Sequence, residues 1–402
     1  MARLAWLLGL IILLIAGLWL LSGSPAALFP AEVSQQEIER ALRDFRQLHR
    51  REPNREELML TLAENLLRRN QGKIALACVE QIPTQTTGVG AAARRLQAQI
   101  SLRLNQLGGV EQSVRKLLEA GKAGIAADPA DLRLAQEMLV FVLSLEFRFE
   151  ERRELLQAIR NQRPLDVLLA KQLYFPSLLA WKSQQQNRRL QEFLAESPGD
   201  PHITAAHARY LTSAGRVDES REIVNAALTQ NPGHLGLLAA ALECRFEQQS
   251  WGEFETLLAA APPFDPGEPW LLTQMRAESA LRADERTLAE KYVRHLLAAD
   301  PTNPQYCHSM ALLSGLAGRQ EERHELQQRA LTLAELRLTL AEPESDAGAL
   351  RAISTTAEKL GLADAARDFD RLAKEAAEAT LQQSPNRGQQ PEQSGRERMR
   401  QP

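Results

Sequence analysis

His324-Glu325 opens the pattern in which two histidines one helical turn apart hold zinc, but the fifth position is Gln328 and the second ligand is missing. Gly88-Val89-Gly90 lacks the third glycine and the preceding strand of a dinucleotide cradle, and it reads as a flexible loop. The acidic pairs Glu150-Glu151 and Glu321-Glu322 read as solvated helix faces rather than acid/base dyads. His202 and His207 stand five residues apart, on different faces of one helix, which argues against a shared metal ion. Cys78, Cys244 and Cys307 are far apart, and no two have the CxxC spacing of a zinc or redox site. Each reads as a small residue filling a helix interface. No catalytic, cofactor-binding or metal-binding residue is expected, and no reaction is assigned.

Composition indicates what must position the remaining side chains. Hydrophobic residues are 44% of the 402, enough for a large core, and aromatics are only 5%. Leucine and alanine supply most of the apolar mass, which suits helices and suits strands poorly. Charged residues are 25% with a net charge of −3, so the basic excess that a phosphate backbone requires is absent and no nucleic-acid partner is expected.

Six prolines mark a period: Pro129, Pro164, Pro198, Pro232, Pro266 and Pro301, at intervals of 35, 34, 34, 34 and 35 residues. Asp128, Asn231, Asp265 and Asp300 directly precede four of them, which reads as a capping side chain followed by a first-turn proline. Between the marks each block reads as two short amphipathic helices. In the block of residues 198–231 the sequence places Ala208, Leu211, Gly215, Ser220, Val224 and Ala227 before Pro232. The next clear blocks repeat this with Ala277, Ala280, Ala289, Val293 and Leu296, and then with Ala311, Gly318 and Ala330. This pattern resembles the tetratricopeptide repeat, well over residues 129–335 and loosely over residues 54–128. The resemblance implies an all-α solenoid of eight or nine helical hairpins. Two blocks depart from it: Arg245 and Phe254 are out of pattern in one, while Tyr174, and Pro176 inside a first helix, are out of pattern in the other.

In that family the first helix of each hairpin builds the concave face. The resemblance therefore places His202, Ala205, Arg209, Ala239, Glu243, Gln274, Glu278, Gln305 and His308 there, with His202, Arg209, Glu243, Gln274, Glu278 and His308 as partner-binding candidates. Some relatives grip a terminal carboxylate with lysine and asparagine. Here Arg209, Glu243, Glu278 and Leu312 hold the asparagine place, so that clamp is not inherited.

Outside the repeats, residues 4–21 form an uncharged apolar run of 18 residues with Trp6 and Trp19 near its ends. As a helix it would span about 27 Å, close to a hydrocarbon core. A cleaved signal peptide competes with a retained single-pass anchor, and the anchor is favoured because the run exceeds an ordinary signal core. Arg3 on its N-terminal side puts the bulk of the chain on the non-cytoplasmic side, periplasmic or extracytoplasmic. The expected organisation is an N-terminal transmembrane helix at residues 1–24, divergent hairpins at 31–128, tetratricopeptide-like repeats at 129–340, a capping hairpin at 341–381 and a disordered tail at 382–402. The expected function is a non-catalytic, membrane-tethered scaffold that binds a protein or peptide. A subunit or assembly factor of an envelope complex is the second reading, self-association a further possibility, and an enzyme on a helical scaffold the remote one.

Overall fold

The computed structural model describes residues 55–85, 88–124, 127–179, 184–341 and 346–383. The chain divides into two units, Met1–Ile82 and Pro83–Pro402. Among the described residues there are eighteen helices, and no helix is long and apolar enough to cross a membrane. The expected anchor at residues 1–24, a helix expected from Ser34 and the expected tail beyond Gln383 lie outside the described residues.

The first unit contributes one described hairpin, α1 (Arg55–Arg68) and α2 (Gly72–Val79). Met59, Ala63 and Leu67 recur at intervals of four along α1 and are buried, as are Ala75, Cys78 and Val79 of α2.

Among the described residues the second unit is a run of sixteen helices, seven pairs of which pack as hairpins. It begins with the hairpins α3 (Val89–Arg103) with α4 (Leu107–Lys122) and α5 (Pro129–Leu145) with α6 (Phe149–Gln162), followed by α7 (Val167–Tyr174) and α8 (Gln184–Glu196), which join separate apolar clusters. Next come α9 (Pro201–Ser213) with α10 (Val217–Gln230), α11 (Leu235–Glu247) with α12 (Trp251–Ala259), and α13 (Trp270–Arg282) with α14 (Arg286–Ala299). The last two are α15 (Pro304–Leu316) with α16 (Gln320–Leu340) and α17 (Ala347–Lys359) with α18 (Ala363–Gln383).

One backbone device makes these turns. Gly215 and Gly318 have φ of 77° and 76°, a left-handed conformation that glycine adopts without strain. The next N–H reaches back five residues, from Arg216 to the Leu211 carbonyl at 2.9 Å and from Arg319 to the Ser314 carbonyl at 2.8 Å. That bond satisfies a carbonyl the helix end leaves free. Asn105, Phe147, Gln249 and Asp284 make the same turn with φ between 55° and 58°. Inside a hairpin, small residues bring the helices together: Ser220 Oγ, fully buried, donates to the Ala208 carbonyl at 2.8 Å and accepts from Thr212 Oγ1 at 2.8 Å.

The proline period has a different meaning from the expected one. Pro129 does open a helix behind its cap, with Asp128 accepting from the Ala130 N–H at 2.8 Å. Pro232, Pro266 and Pro301 instead lie in the links between hairpins, because Asn231 and Asp300 end the preceding helices. The real caps come a few residues later, at Asp200 before Pro201, His234 before Leu235 and Asn303 before Pro304. Asp265 and Asp300 use their carboxylates on the link itself, accepting from the Gly267 N–H at 2.7 Å and the Thr302 N–H at 3.0 Å. Pro176 likewise does not sit inside a helix. It bars the preceding residue from helical geometry, and α7 ends at Tyr174 after eight residues.

The second unit turns back on itself, with α18 packing against α7. One apolar cluster joins Leu156, Ile159, Leu169 and Phe175 to Leu336, Ile353 and Phe369, and the rings of Phe175 and Phe369 lie 5.7 Å apart. Polar bonds border the seam. Arg160 reaches Asp364 at 3.0 Å and Asp368 at 2.9 Å, Tyr174 donates to Asp368, and Arg371 donates to the Leu165 carbonyl at 2.6 Å. Buried Lys171 donates to the Leu340 carbonyl at 3.2 Å. Nearer the middle, Ser177 donates to Asp300, and Thr302 Oγ1 donates to the Tyr174 carbonyl at 2.9 Å.

Phe369 is fully buried in this seam. Replacing it with alanine is expected to cost about 3–5 kcal/mol, read as a lower urea midpoint, and to expose residues near Arg160 and Tyr174 to hydrogen exchange. A loss under about 1 kcal/mol would show that the seam does not hold the unit closed.

Candidate functional site

The return of the chain borders a partly open cavity of about 800 Å³. The first helices of successive hairpins form one side: His202, Ala205 and Arg209 on α9, Ala239 and Glu243 on α11, Gln274 on α13, and Gln305 on α15. The α5–α6 turn and the stretch after α7 face them, bringing Glu146 through Glu151 together with Pro176, Ser177 and Leu179. Of the candidates read from the pattern, His202, Arg209, Glu243 and Gln274 therefore meet in one place. Glu278 and His308 do not line it. Each lies four residues or so beyond a cavity residue on its helix, and His308 is solvent-exposed.

Arg209 is committed. Its guanidinium meets the Glu243 carboxylate at 3.1 Å and lies 5.1 Å from the centre of the Phe147 ring. Phe147 itself is buried with φ of 56°, a conformation that strains a bulky residue by an amount of order 1–3 kcal/mol. The turn thereby holds this ring in the cavity wall.

Next to Phe147, Arg148 binds three carboxylates: Glu146 at 2.7 Å, Glu111 at 2.9 Å and Glu151 at 2.7 Å. Arg115 shares Glu111 at 2.7 Å and Glu151 at 2.8 Å. Two cations thus serve three anions. For Glu111 and Glu151, burial is outweighed by the hydrogen bonds and charge of the two arginines, and both sit below the usual carboxylate range. Glu146 is the most deeply set, and burial pushes it up to about 8 in spite of Arg148. Farther in, the Glu150 carboxylate accepts the backbone N–H of Trp270 at the start of α13. Burial raises it above its ordinary value.

His202 and His234 meet edge to face with ring centres 4.5 Å apart. The role of His234 is visible in its bonding: Nδ1 accepts from the Leu237 N–H at 3.1 Å, so a neutral ring caps α11. Burial, then the neighbouring His202, push His234 down to about 4, and burial also lowers His202. His207, on the opposite side of α9, is buried with no hydrogen-bond partner among the described residues on either ring nitrogen. Burial lowers it as well.

Other residues weighed as chemistry fall elsewhere. His324 is exposed on α16, the three cysteines are buried thiols, and among the described residues no three metal-binding side chains are grouped. The pattern did not reveal Glu146, Phe147, Arg148, Trp270 or Tyr306 as parts of one wall, since the turn residues and the link residues meet only when the chain returns.

The capping histidine makes stability depend on pH. Its folded value lies below its ordinary value of 6.5, so the unfolded chain binds more protons between pH 6.5 and about 4. Stability is full above that window and falls as pH drops through it. The variant His234→Asn keeps the cap and removes the titration. It is expected to retain roughly 1 kcal/mol more than wild type on going from pH 7 to pH 4.5, a figure already reduced for the half-exposed ring. Equal losses in urea titrations of the two proteins would overturn this account.

Residues 32–100 match the family model for the tetratricopeptide repeat. No curated protein matches the chain. Among solved structures, the Cut9-Hcn1 hetero-tetramer of the APC/C is 12% identical, with 85% of this chain and 80% of that one covered and a TM-score of 0.36. A tetratricopeptide repeat protein from Parabacteroides merdae is 14% identical over 74% of this chain and 93% of that one, with a TM-score of 0.25. The human IFIT1 dimer with PPP-AAAA is 12% identical over 86% and 96%, with a TM-score of 0.34. Likenesses this distant carry no functional argument. Over residues 32–100 the chain is thus similar to the tetratricopeptide repeat, and the described residues of both units form helical hairpins.

Proposed function

We propose that the chain is a membrane-tethered, non-catalytic scaffold that holds a segment of a partner protein in the cavity of its second unit. The observation that carries this reading is the cavity itself: successive first helices contribute its wall, and its lining mixes apolar surface with charged groups. A volume of about 800 Å³ suits a few side chains of an extended or helical segment. Repeats of this kind serve many partners, so the fold does not name one.

The tether rests on the apolar run at residues 4–21, with Arg3 before it and Trp6 and Trp19 near its ends. That charge pattern favours placing the bulk of the chain on the non-cytoplasmic side. A place in an envelope assembly is the finer version of the same reading. It differs from transient binding in requiring a complex that survives detergent.

The test is capture of the tagged full-length protein from its native membranes, with the co-purifying proteins identified by mass spectrometry. Gln274→Trp fills the cavity, and Glu278→Ala changes a residue outside it. A partner in near-equal amount should be kept by Glu278→Ala and reduced at least about tenfold by Gln274→Trp. A partner kept equally by both variants would move the binding surface elsewhere. Recovery of the chain alone would favour self-association or a small ligand. Release of the protein from membranes by alkaline carbonate, without detergent, would remove the tether from the proposal.

A further inference from the structure

We propose that the cavity reads one cationic side chain, a lysine or an arginine, in the segment it holds, and that Glu150 is the carboxylate that receives it. The inference rests on the cavity-binding reading above and adds the charge of the occupant.

Carboxyl groups outnumber guanidinium groups in the lining by five to three, with Glu146 and Glu150 held above the usual carboxylate range by burial. Two of the three guanidiniums are spoken for, since Arg148 is shared among three carboxylates and Arg209 is paired with Glu243 at 3.1 Å, while the third, Arg337, is solvent-exposed. An anionic occupant drawn to Arg148 or Arg209 would have to break those pairs and leave glutamates behind without a counter-charge, which is strongly unfavourable in a partly buried site. A cationic occupant breaks nothing.

Glu150 is where such a cation would be received. Beside its own backbone N–H, the carboxylate is bonded to the Trp270 backbone N–H, and among the described residues no lysine or arginine is within ion-pair distance. Arg152 and Arg209 reach it only through space. The bond to Trp270 aims the carboxylate without neutralising it. Around it, Trp270 and Tyr306 form one apolar cluster with Phe149, and all three line the cavity. A carboxylate beside aromatic rings suits an alkylammonium or guanidinium group, whose stem packs on the rings while its charge meets the oxygen. At the opening, the exposed Glu247 adds negative potential along the approach.

The experiment selects a random-peptide library displayed on phage against the full-length chain in detergent, counter-selected on Gln274→Trp. Peptides that survive should carry lysine or arginine at a shared position. A synthetic survivor should bind Glu150→Gln about tenfold or more weakly than wild type, since a charge-assisted bond is lost while the glutamine oxygen still accepts from Trp270. Replacing its cation with norleucine should weaken binding to wild type equally and to Glu150→Gln little further. Survivors without a shared cation, or with equal affinity for Glu150→Gln, would overturn this inference and leave the cavity reading standing. A library that yields no peptide blocked by Gln274→Trp would overturn the cavity reading, and this inference with it.

Discussion

A hairpin of two helices about fourteen residues long has more apolar surface than its own two faces can cover, so each hairpin needs a neighbour. An open stack of hairpins transfers that need to its two ends. In the second unit the need is met differently: the α6–α7 region receives both its sequence neighbours and the last hairpin, through the cluster centred on Phe175 and Phe369. The cavity follows from that constraint. Without the seam, the α5–α6 turn would not face α11 and α13, and Glu150 would not reach the Trp270 N–H.

The break in the repeat pattern lies where the seam needs it. Helix α7 is only eight residues long because Asp166 starts it with a cap to the Leu169 N–H at 2.9 Å and Pro176 stops it. A full-length helix would carry the chain past the point where Phe175 fits beneath α18. Tyr174 occupies a position where this repeat favours a small residue, and its hydroxyl is bonded to Asp368 across the seam. Departures that look like decay within a repeat are, here, the residues that hold separate repeats together.

Much of this was legible locally. The left-handed glycines at 215 and 318 mark equivalent turns, and the closing pair of helices falls at Ala347–Lys359 and Ala363–Gln383, close to the capping hairpin expected at residues 341–381. The first-helix residues His202, Arg209, Glu243 and Gln274 followed from the family pattern because α9, α11 and α13 keep its register. Three things were not legible. Phe147 and Gln249 take a left-handed conformation that side chains of their kinds give no reason to expect. The Asx-Pro pairs at residues 231–232, 265–266 and 300–301 mark links rather than helix starts, since aspartate and asparagine cap a turn as readily as a helix. The pairs Arg160–Asp364 and Arg371–Leu165 join residues about two hundred apart, and no periodicity in the sequence records them.

Those long-range bonds set a schedule for the newly made chain. Arg160 and Asp364 are 204 residues apart, so the apolar side of α6 and α7 must wait for that much more chain before it is covered. At about 5–20 residues per second of synthesis, the wait is roughly 10–40 s, far longer than a helical hairpin needs to form. During that interval a neighbouring copy, or a chaperone, has access to the apolar surface that α18 will later occupy. The same geometry makes repeat number an all-or-none property here. Removing one hairpin from an open solenoid shortens it, but removing one between α7 and α18 would shift the register at which the chain meets itself.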